Sequence, residues 1–499
     1  MSGEEGRSES ETNRLVEIRR VKLQKLREAG IEPFAYSYRR SHTSADVRER
    51  FADAGHDPSP DKVRIAGRIM SVRDHGKSCF MNLRDRFGTI QIYGKEDVLG
   101  ASLYSIFRDA DAGDILGVEG NVFRTKRGEI TVYVTSFTYL SKSLRPLPEK
   151  FHGLRDVEAR YRMRYLDLAV NEEVQNIFVT RSRIVSEIRR WLDSRGFIEV
   201  ETPVLTPIPG GALARPFVTH YNFLDQDFYL RIATELYLKR LIVGGLEKVY
   251  EIGKDFRNED IDTTHNPEFT MLELYQAYAD YNDMMELTEK MLSDVLLSVK
   301  GSHTLTYGRH EVDFSPPWRR ITMVDAIREI GKIEADFSDA SELMSVAREL
   351  RLENLSENMS AGELIAELFD QKVQENIIDP TIVYDYPADI SPLAKKKRGD
   401  PRFAERFEPF ACGMEFGNAF SELNNPMEQR QNFERQKARR EVGDEEAHPY
   451  DEDYIVAMEY GLHPTGGLGI GIDRLCMLFT NTDSIKEVIL FPQLRRKSD

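Results

Sequence analysis

Cysteine is scarce in this chain of 499 residues: Cys79, Cys412 and Cys476 are the whole supply. Three scattered thiols form neither a disulfide framework nor the paired spacing of a zinc site, and they fit a reducing compartment, so the expected location is the cytoplasm. No apolar run approaches the roughly 18 residues that a membrane span needs. The opening stretch MSGEEGRSESETNR is acidic and polar, which is not the pattern of a signal or transit peptide. No internal repeat is visible. Net positive charge is also lacking: 84 acidic side chains face 68 basic ones, a net of −16. That excess argues against a nucleic-acid partner until its distribution is considered.

The distribution is uneven. Residues 1–60 balance, with 11 basic and 11 acidic side chains, and residues 61–142 carry 13 basic and 10 acidic. The remainder therefore holds −19. A slightly basic front joined to an acidic body suggests RNA or DNA contact at the front. Residues 14–29 repeat apolar positions at Leu15, Ile18, Leu23 and Leu26 and end at Gly30, with Pro33 beyond, which predicts an amphipathic helix. Residues 62–142 then read as five short strands with a helix, DVLGASLYSIFRDA, between the third and fourth. That is the pattern of an OB-fold barrel. Residues 143–165 are Pro- and Lys-rich and read as a linker.

From residue 166 onward helices and strands alternate without a strict βαβ repeat. The fold class is therefore α+β: an N-terminal extension over 1–61, a barrel over 62–142, and a body over 166–499 built on an antiparallel sheet flanked by helices, with a helical insertion near 322–378. The run KKKR at 395–398 reads as solvated loop surface.

The chemistry concentrates in FRNE at 256–259, in EFTMLEL ten residues later, and in GLGIGIDRL near the end. In FRNE the arginine and the carboxylate two positions on share one face if the strand continues. Two separated arginines, Arg257 and Arg474, converging on one polyanion suggest phosphoryl or nucleotidyl transfer, where positioning and charge neutralisation carry the rate.

These residues resemble the class II aminoacyl-tRNA synthetases. FIEVETPVL is similar to their first motif, at the dimer interface, FRNE to the second and GLGIGIDRL to the third. The signatures of the class I enzymes, His-Ile-Gly-His and Lys-Met-Ser-Lys-Ser, are absent. Longer segments, among them IPGGALARPFVTH, FRNEDIDTTHNPEFTMLELYQAY, GNAFSELNNP and YDEDYIVAMEYGLHPTGGLGIGIDR, resemble the lysyl-tRNA synthetases over nearly the whole chain. Glu235 in ATELY stands where the aspartyl and asparaginyl relatives carry a glutamine.

The resemblance implies a lysine–tRNA ligase that uses ATP and Mg²⁺, binds tRNA(Lys) and forms a homodimer, with an OB-fold anticodon-binding domain in front of a class II catalytic domain. It implies Gly211, Glu235 and Glu273 on the α-amino group of lysine, Arg257 and Asn424 on its carboxylate, and Tyr275 and Glu428 on its ε-ammonium. It implies Arg257 on the α-phosphate and Arg474 on the γ-phosphate as the catalytic arginines. Phe269 would stack on adenine, Glu259 would read its amino group, and His265 and Asn266 would lie by the outer phosphates. Glu415 would contact ATP and, with Glu422, hold Mg²⁺. In the barrel, Phe80, Gln91 and Glu129 would read a uridine-rich anticodon.

A lysine substrate brings two ammonium groups and one carboxylate, so a pocket of several carboxylates and one arginine is chemically apt. The chain departs from common bacterial patterns at Thr234, Thr264, Met414 and Ala419. Two other readings compete. A paralogue that passes lysine to something other than tRNA would tend to lack the barrel. An inactive RNA-binding relative would have lost Arg257, Glu415, Glu422 or Arg474, and all four are present.

Overall fold

The computed structural model describes residues 9–148, 154, 156–441 and 448–495. The chain divides into two compact units, Met1–Val157 and Glu158–Asp499.

In the first unit a helix spans Glu9–Glu28. Five strands follow: β1 (Lys62–Asp74), β2 (Ser78–Asp85), β3 (Gly88–Lys95), β4 (Ile115–Arg124) and β5 (Ile130–Ser141). They close into a barrel in the order β1-β2-β3-β5-β4. Alternation dictates the core, because every second side chain points inward. Val63, Ile65, Met81, Leu83, Ile90, Ile92, Val118, Val122, Val132 and Val134 fill it. Gly120 permits the close approach of β4 to β5, since a Cβ there would lie 2.0 Å from the carbonyl oxygen of Tyr133. Short helices at Glu96–Leu99 and Ala101–Arg108 sit between β3 and β4, as the pattern predicts. The N-terminal helix is pinned by ions as well as apolar packing. Arg19 donates to the carbonyls of Ala112 and Arg145, and Lys22 reaches Asp111 at 2.8 Å.

The second unit is built on a nine-stranded sheet. Its order runs Arg319–Thr322, Thr381–Pro387, Phe403–Ala411, Gly417–Ser421, Thr465–Gly471, Glu268–Ala277, Lys248–Phe256 and Ile198–Glu199, with Met414–Glu415 pairing off Phe403–Ala411. The inner pairs are antiparallel and only the two outermost are parallel. Helices Glu172–Asp193, Tyr281–Lys300 and Ile472–Thr480 cover one face with Ile184, Ile188, Met284, Leu292, Leu475 and Leu478. The insertion supplies helices Met323–Glu329, Ala340–Glu349 and Ala361–Lys372, which carry their own core around Leu343, Leu364 and Phe369.

Three expectations change. Part of the expected linker, 149–153 and 155, lies outside the described residues, but helices already form at Val157–Arg162 and Arg164–Val170. Arg160 and Arg164 find their partners in Asp167 and, more than 320 positions away, in Glu487 and the carbonyl of Lys486, which no local pattern reveals. The KKKR run is not free surface. Lys395 binds Asn424, Lys396 pairs with Glu428, Lys397 with Asp385, and Arg398 with Glu405 and Asp280. The strand ahead of FRNE stops at Phe256, so Arg257 and Glu259 stand on the following loop.

Candidate active site

A cavity of about 440 Å³ opens above the middle of the sheet, where Glu268–Ala277, Thr465–Gly471 and Gly417–Ser421 are neighbours. Gly211, Glu235, Arg257, Glu259, His265, Asn266, Phe269, Glu273, Tyr275, Glu415, Glu422 and Arg474 all line it. The antiparallel register explains part of this convergence. Glu273 and Tyr275 project from one face of their strand and face Gly469 and Gly467 on the next. Those glycines leave room. A Cβ at Gly467 would lie 2.0 Å from Oε1 of Glu422 and 2.6 Å from the Tyr275 ring.

The inner half of the cavity is acidic. Glu235 opens the helix Glu235–Val243, and one turn on, the ammonium of fully buried Lys239 pairs with both Glu235 and Glu422. Oε1 of Glu273 accepts from the Thr234 N–H at 3.2 Å, and Oε2 accepts from the Tyr275 hydroxyl at 3.2 Å. One ammonium cannot offset so many buried carboxylates. Burial, then the charges of Asp255 and Glu235, push Glu273 up to about 8. Burial likewise raises Glu235 and Glu422 against the pull of Lys239. Lys239 itself stays charged, because Glu235 and Glu422 outweigh the effect of burial.

The outer half holds the cations. The Arg257 guanidinium lies 5.1 Å from the centre of the Phe269 ring, and its Nε is buried with no hydrogen-bond partner among the described residues. Arg474 donates to the Glu415 carboxylate at 2.7 Å and to the Glu415 carbonyl at 2.9 Å, and it lies 2.9 Å from Nε2 of His265. Asn266 is buried, and its amide donates to the Glu268 carbonyl at 2.6 Å.

Asp473 ties the third motif to the helix Glu172–Asp193 and to the strand Glu268–Ala277. It accepts from Arg181 at 2.5 Å and from the Thr270 N–H at 2.6 Å, while Arg181 also donates to Oγ1 of Thr270 at 3.0 Å.

Two expected lysine ligands are not brought into the lining. Asn424 accepts from Lys395 at 2.8 Å, and Glu428 pairs with Lys396 at 3.1 Å on the first turn of the helix Pro426–Glu441. Both side chains have partners in the KKKR loop instead.

Four lining or wall residues escape sequence reasoning. Lys239 reads as an ordinary helix surface lysine. Arg406 and Glu408 meet at 2.6 Å inside the strand Phe403–Ala411, where the sequence marks no site. His448 is buried, stacked on Phe433, and its Nε2 accepts from the Gly211 N–H at 2.6 Å, where Gly211 has a φ of +95°. Burial lowers His448 to about 4, so it is a neutral acceptor. Only the Gly-Gly pair at 210–211 signalled a special backbone there.

Whether Mg²⁺ suits the cavity turns on its donor set. Glu415 and Glu422 both line it, and Oε1 of Glu422 is buried without a hydrogen-bond partner among the described residues. These are hard oxygen donors of the kind Mg²⁺ prefers. No group of three or more His, Cys, Asp or Glu that could hold a metal ion exists among the described residues, so a bound Mg²⁺ would need phosphate oxygens and water as its other ligands.

The barrel carries a second candidate surface. Phe80 on β2 stacks on Tyr93 of β3 at 4.3 Å, and Tyr93 stacks on Tyr133 of β5 at 5.6 Å. Phe123 of β4 and His75 extend the row at either end. Gln91 accepts from the Thr131 hydroxyl at 3.0 Å, and Glu129 stands exposed at the entry to β5. Nothing local in the sequence marks Tyr93, Tyr133 and Phe123 as a row, because the adjacency of β3 and β5 is a fact of barrel closure.

Comparison with known proteins gives concordant results. Residues 156–495 match the family model for class II tRNA synthetases (D, K and N), and residues 63–140 match that for OB-fold nucleic-acid-binding anticodon domains. The chain is 54% identical over 495 residues to the lysine–tRNA ligase of Syntrophomonas wolfei, covering 98% of this chain and 99% of that protein. It is 51% identical over 503 residues to that of Bacillus subtilis, covering all of both, and 53% identical over 488 residues to that of Moorella thermoacetica, covering 98% and 99%.

Proposed function

The chain belongs to the class II tRNA synthetases, among the lysine–tRNA ligases, and on that premise we propose how its cavity joins L-lysine to tRNA(Lys). The observation that carries the reading is one cavity with two halves, acidic within and cationic toward Arg257 and Arg474. Lysine and a nucleoside triphosphate have the matching charges.

Glu235, Glu273 and the Gly211 segment hold the α-amino group. Arg257, whose Nε has no partner of its own, takes the lysine carboxylate and the α-phosphate together. Tyr275 and Glu428 read the side-chain ammonium, a role in which the substrate replaces the ammonium of Lys396 on Glu428. Asn424 assists the carboxylate on the same condition of leaving Lys395. Phe269 stacks on adenine, Glu259 accepts from its amino group, and Arg474, His265 and Asn266 face the outer phosphates. Glu415 and Glu422 hold Mg²⁺, which when bound neutralises charge on the phosphates.

The lysine carboxylate attacks the α-phosphorus in line, the bond to the bridging oxygen breaks, and pyrophosphate leaves. The terminal adenosine hydroxyl of tRNA then attacks the lysyl-adenylate carbonyl and expels AMP. No side-chain nucleophile takes part. The residues act by holding the reactants in line and by placing donors where charge develops.

On the barrel, the row Phe80–Tyr93–Tyr133 stacks anticodon bases, while Gln91 and Glu129 read their edges. A homodimer is supported by apolar exposure around the first motif: Val204, Leu205, Val218, Tyr221 and Phe223 are all exposed. A cytoplasmic site of action is supported by three free cysteines; no helix among the described residues is long and apolar enough to cross a membrane.

The test is ATP–pyrophosphate exchange with each of the twenty amino acids, for the wild type, Glu273→Gln and Glu428→Gln. Exchange with lysine alone supports adenylation. Exchange with aspartate or asparagine refutes lysine as the substrate, and no exchange refutes adenylation. Selectivity that broadens in Glu428→Gln supports that carboxylate as the reader, and unchanged selectivity transfers the role to the buried carboxylates.

A further inference from the structure

The loop after FRNE contains a carboxylate that has no role in the reading above. Oδ1 of Asp262 accepts from the N–H groups of Thr264 and His265, both at 2.6 Å. Oδ2 lies 2.8 Å from Nδ1 of His265. The other ring nitrogen, Nε2, lies 2.9 Å from Nη2 of Arg474, whose Nη1 is held by Glu415. A chain therefore runs Asp262–His265–Arg474–Glu415 along the phosphate side of the cavity.

Donor and acceptor roles follow from the ends. A guanidinium only donates, so Nε2 of His265 must accept, and the ring proton must sit on Nδ1, where the Asp262 carboxylate receives it. The two oxygens of Asp262 thus divide the work, one shaping the turn and the other fixing the tautomer. Partial burial pushes Asp262 upward, but the bonds from His265 and from the Thr264 and His265 N–H groups outweigh it and hold it down at about 2.

We propose that Asp262 is a positioning residue for ATP: it orients His265 so that the imidazole and Arg474 meet the outer phosphates as one prearranged pair. This inference rests on the adenylation reading, yet it has its own readout. Asn is the discriminating replacement. Its amide oxygen can keep both turn bonds, while its NH₂ donates to Nδ1 and moves the ring proton to Nε2, where it faces Arg474.

In Asp262→Asn we expect the KM for ATP in lysine-dependent pyrophosphate exchange to rise about tenfold, with the KM for lysine within twofold of wild type. The ¹⁵N shifts of His265 should report the Nδ1–H tautomer in the wild type and Nε2–H in the variant. In a His265→Ala background the same change should add nothing. An unchanged KM for ATP, an unchanged tautomer, or an undiminished effect in the His265→Ala background would each overturn the proposal. Absence of exchange in the wild type would instead refute the adenylation reading, and the tautomer measurement would still decide whether Asp262 sets the ring.

Discussion

At the scale of single residues, Glu273 and Lys239 show how one cavity sets opposite demands. Glu273, held up at about 8, carries a proton across neutral pH. An arriving ammonium favours the carboxylate, so lysine binding at pH 7 should release protons. Calorimetry in buffers of different ionisation enthalpy measures this, and the release should fade above about pH 8 and shrink in Glu273→Gln. The stability consequence has the same origin. The folded carboxyl binds a proton that the unfolded one, near its ordinary 4.5, has already lost. Stability attributable to this group is therefore present at low pH and declines as pH rises from that value toward 8. Glu273→Gln should flatten the decline in thermal midpoint over that window.

Lys239 is the converse case. Removing a buried cation leaves carboxylates unpaired, and such changes typically cost about 3–5 kcal/mol. Lys239→Met should lower the denaturant midpoint of the catalytic unit accordingly. Lys239→Met combined with Glu422→Gln should recover part of the loss, because fewer charges are then left uncompensated.

At the scale of elements, the site depends on where strands and helices cross. Arg181 comes from the helix Glu172–Asp193, Thr270 from the strand Glu268–Ala277 and Asp473 from the helix Ile472–Thr480, and the three meet within hydrogen-bond distance. Thr270 adjoins Phe269, and Asp473 adjoins Arg474. Arg181→Lys keeps the charge but not the fork that serves both partners. It should raise the KM for ATP several-fold while leaving the fold intact by circular dichroism.

The barrel's aromatic row is also an element-scale device, made by the order β2-β3-β5-β4. Stacking of a base on an aromatic ring is worth about 1–3 kcal/mol. Tyr93→Ala should weaken tRNA binding by roughly that amount, measured by filter binding, and leave lysine-dependent pyrophosphate exchange unchanged. Equal losses in both assays would remove Tyr93 from the anticodon platform.

At the scale of the whole molecule, charge and apolar exposure set the associations. With a net charge of −16 the chain repels RNA overall. Contacts between basic side chains, more frequent in the front, and phosphates then predict a tRNA affinity that falls with added salt. The exposed apolar side chains around the first motif predict a dimer in sedimentation at micromolar concentration. Phe223, 86% exposed, is the natural place to test it, and Phe223→Asp should shift the species toward monomer. A wild-type monomer with full exchange activity would refute the dimer.

The sequence by itself determined the parts whose information is local. Alternation marked the five barrel strands, 3.6-residue periodicity marked the helices, and FRNE and GLGIGIDRL marked the two arginines. The cavity carboxylates Glu235 and Glu273 were legible because their segments are long and distinctive. What only the tertiary structure decided are pairings between distant segments. Lys239 on Glu422, His448 on Gly211, His265 on Arg474, and Lys395 and Lys396 on Asn424 and Glu428 all join groups by geometry that no spacing encodes. A side chain's charge is written in the sequence, but its partner depends on which backbones pack together, and in a buried site that partner fixes the charge state and the direction the group faces.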